Sequence, residues 1–130
     1  MGNEPAGKAL ILLIENDKDT QGYLRSTLRK LGYGVLAVDS DTEALVLTLR
    51  EGAKPDLIII NMNASVDEIL EAGRCVRELS DLSPSVPIIV IPFAFDPALE
   101  GTDVPAGDCV HICYWARPDQ LGHLVGRLLG

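Results

Sequence analysis

The chain has few aromatic residues, few cysteines, no excess of positive charge and no long apolar run. Each shortage removes a class of function. Aromatics make up 5% of the 130 residues, so the core has to be aliphatic. The 11 Lys and Arg stand against 19 Asp and Glu, a formal net charge of −8. A balance this acidic argues against nucleic acid as a partner, because phosphates demand a basic face. No apolar stretch approaches the ~20 residues that a membrane span needs. The opening Met1-Gly2-Asn3-Glu4-Pro5-Ala6 lacks the cationic and apolar regions of a signal peptide. Ala6 also stands where N-myristoylation at Gly2 would require Ser or Thr. A cytoplasmic location without membrane contact is the expectation.

The three cysteines, Cys75, Cys109 and Cys113, are an odd count without a CxxC, which argues against a disulfide framework. Cys109, His111 and Cys113 alternate, so a strand would carry them on one face as three conceivable metal ligands. No fourth ligand is apparent, and buried cysteine is commonly a small core hydrophobe, so no metal site is expected. No glycine-rich phosphate loop follows the first apolar run, where a nucleotide or flavin binder usually carries one.

What is present is a regular alternation of strand and helix signals after a polar tail, residues 1–7. Ala9-Leu10-Ile11-Leu12-Leu13-Ile14 reads as a buried strand ending in Glu15-Asn16-Asp17. A helix is expected from about Asp19 to Lys30, with Leu24, Leu28 and Leu31 at helical spacing and Gly32 just past its end. A second strand follows at 34–38. Ser40 and Glu43 have capping-box spacing ahead of a second helix carrying Ala44, Leu45, Leu47 and Leu49. The third strand is 56–61, and Ile69, Leu70, Val76 and Leu79 mark a third helix. Strands at 88–91 and roughly 109–115 follow, and Leu121, Leu124, Val125 and Leu128 stripe a closing helix.

This rhythm predicts an α/β fold of three layers: five parallel strands, flavodoxin-like and doubly wound in the order 2-1-3-4-5, with helices on both faces. Ligands bind such sheets at the carboxyl ends of the strands, near the switch point between strands 1 and 3. That rule sets Glu15-Asn16-Asp17 beside Asn61, the residue that ends Pro55-Asp56-Leu57-Ile58-Ile59-Ile60-Asn61. A carboxylate at position 61 could act as a nucleophile; a neutral amide cannot.

One stretch breaks the pattern. Between Phe93 and Gly107 the chain carries Pro97, Gly101, Pro105 and Gly107, which cannot support a full-length fourth helix. At best one turn starts at Asp96-Pro97. Phe93 and Phe95 are apolar for a loop, and they serve either as binding anchors or as filling for the space the helix leaves.

Residues 8–130 resemble the receiver domain of two-component response regulators. The resemblance rests on an ordered set: the acidic cluster after strand 1, LRSTLRKLGYGV, DTEAL, PDLIII, VPIIVI and Arg117-Pro118. It implies a site in which two acidic residues after strand 1 hold Mg²⁺ and an Asp ending strand 3 accepts a phosphoryl group. A Ser or Thr ending strand 4 and a Lys before a Pro after strand 5 bind its oxygens. Here Glu15 keeps one acidic position, with Asp17 close by, but Asn16, Asn61, Pro92 and Arg117 replace the other four groups. Tyr114 matches an aromatic that the family often uses as a rotameric switch.

Mg²⁺ requires hard oxygen ligands, and two of the three expected carboxylates are now amides, so its binding is expected to be weak or absent. Arg117 is expected to turn toward Glu15 and Asn61 and fill the cavity. Pro92 offers a phosphoryl oxygen neither a hydroxyl nor an N–H. The resemblance therefore implies a receiver-like signalling domain of bacterial type that is not phosphorylated, is not an enzyme and has no cofactor. It would work by contact with a signalling protein, an attached output domain or a second copy of itself. Its surface would be the rebuilt region of Phe93, Phe95 and Leu99, with Tyr114 and Trp115. A weakly active phosphoacceptor and a flavodoxin-like ligand-binding domain are the alternatives. The chain closes on Leu128-Leu129-Gly130, where an output domain would be attached.

Overall fold

Three aliphatic runs without solvent exposure make the centre of the sheet: Ile11 to Ile14, Leu57 to Ile60 and Ile88 to Val90. Continuous rather than alternating hydrophobicity is what a strand covered on both faces requires. The computed structural model describes residues 9–92, 96–117 and 119–129. Its strands are β1 (Leu10–Glu15), β2 (Gly34–Val38), β3 (Leu57–Asn61), β4 (Ile88–Val90), β5 (Asp103–Pro105) and β6 (Val110–Cys113). The helices are α1 (Lys18–Lys30), α2 (Asp41–Leu45), α3 (Val66–Leu79) and α4 (Gln120–Leu129).

Strand order is β2-β1-β3-β4-β6-β5. The first five of these run parallel, as the doubly wound reading requires. On one face Ile11, Leu13, Ile59, Ile89 and Cys113 pack with Leu24 and Leu28 of α1 and Leu121, Leu124 and Val125 of α4. On the other, Leu12, Ile14, Ile58, Ile60 and Val90 meet Ala44 of α2 and Ile69 and Val76 of α3. The α/β three-layer fold is thus the one expected.

Caps fix where the helices begin. Asp17 caps α1, accepting from the Thr20 N–H at 3.1 Å. Ser65 and Glu68 form a reciprocal capping box on α3. At α2 the Ser40 hydroxyl accepts from Glu43 N–H at 3.1 Å, while Glu43 reaches back to the Asp39 N–H at 2.6 Å. Helix α2 is short and runs on as a π-helical segment, Val46–Arg50. Buried Thr48 there meets the Ser80 hydroxyl at 2.6 Å, and Leu49 is turned outward.

Two expectations need correction. The sheet has six strands rather than five. The single turn expected from Asp96-Pro97 is there, closed by the Leu99 N–H on the Asp96 carbonyl at 3.0 Å, but the described residues then enter the edge strand β5 rather than a degenerate helix. This strand is antiparallel to β6, with Val104 opposite Ile112. Pro97 and Gly101 exclude a helix, but an edge strand needs only a few extended residues and one apolar side chain facing the sheet. Pro105, which has no N–H, and charged Asp103 blunt this edge against further pairing.

The strand expected at 109–115 is also shorter, because the β5–β6 turn takes residues from its start. Gly107, Asp108 and Cys109 have positive φ angles of 82°, 53° and 59°. Arg77 holds the turn, donating from Nη1 to the Asp108 carbonyl at 2.7 Å and the Val86 carbonyl at 3.0 Å. Cys109 lies outside β6 and is exposed, whereas Cys113 is buried, so the alternation with His111 is broken.

Candidate functional site at the carboxyl end of the sheet

Parallel pairing of β1 and β3 sets Glu15 directly opposite Asn61. Above them lies a cavity of about 520 Å³ lined by Glu15, Asn16, Asp17, Thr20, Asn61, Met62, Asn63, Ile91, Pro92 and Trp115. The topology thus brings together six of the residues singled out in the sequence.

Glu15 is the centre of the site and only 3% exposed. Its Oε1 accepts from Asn61 Nδ2 at 2.6 Å, and its Oε2 accepts from the Asp17 N–H at 3.0 Å. Burial pushes its pKa up, against the pull of those two hydrogen bonds. Asp17 is the opposite case. Its Oδ2 accepts from Thr20 Oγ1 at 2.5 Å and from the Thr20 N–H, which holds its carboxyl below the usual range. The cavity therefore contains one buried and one capped carboxylate.

Trp115 forms a wall. Its Nε1 donates to the Arg117 carbonyl at 2.6 Å, and its ring stacks on Tyr23 with centroids 5.9 Å apart. The indole packs against the core and borders the cavity. Tyr114 is half-buried, and its main chain pins the preceding turn, accepting from the Gly101 N–H at 2.7 Å and donating to Thr102 at 2.9 Å. Leu99, in that turn, is half-buried. Phe93 and Phe95 lie outside the described residues.

Arg117 does not enter the cavity. Its guanidinium pairs with Asp119 at 3.6 Å, and its Nη1 lies beside Gly101. A carboxylate two residues away reaches it without crossing the sheet end. Lys18, the other nearby cation, is likewise engaged, at 2.6 Å from Asp39.

Sequence reasoning missed Gln21. Buried on α1, its Nε2 donates to the carbonyls of Glu15 at 2.8 Å and Val38 at 3.0 Å. It ties the ends of β1 and β2 together beneath the site. A lone glutamine on a helix reads as surface, and only the sheet order would have exposed it.

The donor set does not fit Mg²⁺. Both oxygens of Glu15 already accept hydrogen bonds, and Asn61 turns its N–H toward Glu15. An ionised carboxylate can only accept, so the amide nitrogen must face it, and the amide oxygen must point elsewhere. Near-ideal octahedral oxygen coordination would require breaking that contact.

No protein-family model matches the chain, and no curated protein matches it. Solved structures do. A response regulator from Thermotoga maritima superposes with a TM-score of 0.68 at 19% identity, over 94% of this chain and 98% of that one. A response regulator receiver protein from Burkholderia phymatum gives 0.68 at 21%, over 95% and 96%. The signal receiver domain of a signal transduction histidine kinase from Syntrophus aciditrophicus gives 0.66 at 24%, over 93% and 89%. The fold is the receiver fold. Within it, the cavity occupies the carboxyl end of the sheet, and the edge beyond β6 is built from a strand.

Proposed function

We propose that this receiver-fold chain is a signalling domain that accepts no phosphoryl group and acts through protein–protein contact rather than catalytic turnover. The observation that carries the reading is the 2.6 Å contact from the Asn61 amide to buried Glu15. An amide at that strand end offers no nucleophilic oxygen, and the neighbouring carboxylate is engaged in holding it. Pro92, which lines the same cavity, has neither hydroxyl nor N–H with which to orient a phosphoryl group. The rebuilt segment, with half-buried Leu99 in its turn, is the surface offered to a signalling protein, an output domain or a second copy.

Acetyl phosphate with Mg²⁺ tests the proposal. The expected result is an unchanged intact mass. Stoichiometric gain of one phosphoryl group, removed by hydroxylamine, would overturn it. Asn61→Asp alone should restore little labelling, because Asn16 and Pro92 remain.

A further inference from the structure

The cavity of about 520 Å³ is within the range of small-ligand sites. Among the described residues it is lined by two carboxylates, Glu15 and Asp17, and by no lysine, arginine or histidine. Two cations that flank this end of the sheet pair elsewhere, Lys18 with Asp39 and Arg117 with Asp119. Glu15 is only 3% exposed, its hydrogen-bond partners are an amide and a backbone N–H, and no cation among the described residues pairs with it. A buried carboxylate in that state favours any arrangement that supplies a cation.

One wall of the cavity is chemically specific. Trp115 is braced by its hydrogen bond to the Arg117 carbonyl and by Tyr23 stacked upon it. A fixed indole offers π surface to a cation. Asn61 turns its nitrogen to Glu15, which leaves its oxygen for an incoming donor. Acceptors and an aromatic wall suit a planar, weakly hydrated group with several N–H donors better than a strongly hydrated metal ion.

We infer that this cavity receives a guanidinium group, presented by an arginine side chain of a protein partner or carried by a free small guanidine. The group would donate to Asp17 and the Asn61 oxygen, lie against Trp115, and supply Glu15 with a counter-charge without displacing its two hydrogen bonds. The inference rests on the proposed function in one respect, that no phosphoryl group competes for the cavity.

The sequence contains a single tryptophan, so its fluorescence and indole N–H resonance report on this wall without ambiguity. The probes are methylguanidinium chloride and an acetylated, amidated Ala-Arg-Ala tripeptide, each titrated against NaCl at equal ionic strength. A saturable Trp115 response to the organic cations, absent with NaCl and unaffected by millimolar Mg²⁺, is expected. Glu15→Gln keeps the shape of the side chain and one of its two acceptors but removes the charge, and should weaken binding about tenfold, as the loss of one charged contact does. Asp17→Asn, which still caps α1, gives a second variant should Glu15→Gln fold poorly, and it too should weaken binding.

A tripeptide that binds more tightly than methylguanidinium identifies a protein side chain as the source; a tripeptide that binds no better identifies a free guanidine. Identical responses to methylguanidinium and NaCl, or wild-type binding by both variants, would overturn the inference. Acetyl phosphate labelling of the same samples separates the two failures. A labelled protein refutes the proposed function, and an unlabelled one without a Trp115 response refutes only the cation site.

Discussion

Asn61→Asp is the most searching perturbation of this site. The Asn61 nitrogen lies 2.6 Å from Glu15 Oε1, so an Asp of the same shape would set a half-buried carboxylate against the buried one of Glu15. Two like charges ~4 Å apart at an effective dielectric of about 20 repel by about 4 kcal/mol. The lost hydrogen bond to a charged group adds about 1.5–3 kcal/mol. The fold escapes the sum by holding one proton between the two groups. Protonating a carboxyl of ordinary pKa ~3.9 at pH 7 costs about 4 kcal/mol, which is the ceiling on the penalty. The sign follows from linkage. The pair titrates above its unfolded value, so between pH ~4 and the raised pKa the native state binds more protons, and stability falls as pH rises. Burial already raises Glu15 in the wild type, which gives it the same sign, so the informative quantity is the difference between the two proteins. Urea unfolding from roughly pH 4.5 to pH 7.5 should show a deficit of about 3–4 kcal/mol near neutrality that shrinks by about 1.4 kcal/mol per pH unit on acidification. A deficit under about 0.5 kcal/mol that ignores pH would refute the contact between residues 15 and 61.

Other expectations follow from individual contacts. Gln21→Ala should cost about 2–3 kcal/mol in chemical denaturation, because it strips a partner from the carbonyls of Glu15 and Val38; a neutral outcome would place Gln21 on the surface. The Cys113 thiol is pushed up to about 12 by burial and by Asp103. At mildly alkaline pH, peptide mapping after alkylation should show exposed Cys109 modified first and Cys113 spared until the protein unfolds. Leu99→Ala should weaken partner binding or self-association while leaving the melting temperature nearly unchanged, whereas a loss of several degrees with normal binding would make Leu99 a core residue.

The parallel part of the fold was legible because its strands are written as isoleucine-rich runs between clear breaks. Once β1 and β3 are neighbours, Glu15 and Asn61 must meet, so the centre of the site was legible too. Strand β5 was not. Three residues, one of them proline, carry no periodicity, and Val104 becomes a strand residue only because Ile112 lies beside it. Arg117 misled for a different reason. Charge complementarity across the sheet end favoured Glu15, but Asp119 competes from the same short segment and is reached with less chain ordering. The stack of Tyr23 on Trp115 joins α1 to the segment after β6, a non-local contact that no spacing rule encodes.

The edge hairpin alters how this domain assembles. In a sheet built only from crossovers, each strand arrives with its own helix. Here β6 lies between β4 and β5 and is joined to β5 by the short turn 106–109, so the pair can form locally on the microsecond scale of hairpins. It would then dock on β4 as one piece. Gln120, the first residue of α4, fastens that piece by accepting from the Ala116 N–H at 2.9 Å and donating to Asp103 at 3.2 Å. Edge strand, inner strand and closing helix are thereby joined into one cooperative unit. Because α4 also packs on Ile11 and Leu13 of β1 and on Leu24 and Leu28 of α1, opening of this unit would be felt across one whole face of the sheet, as far as the strand that carries Glu15.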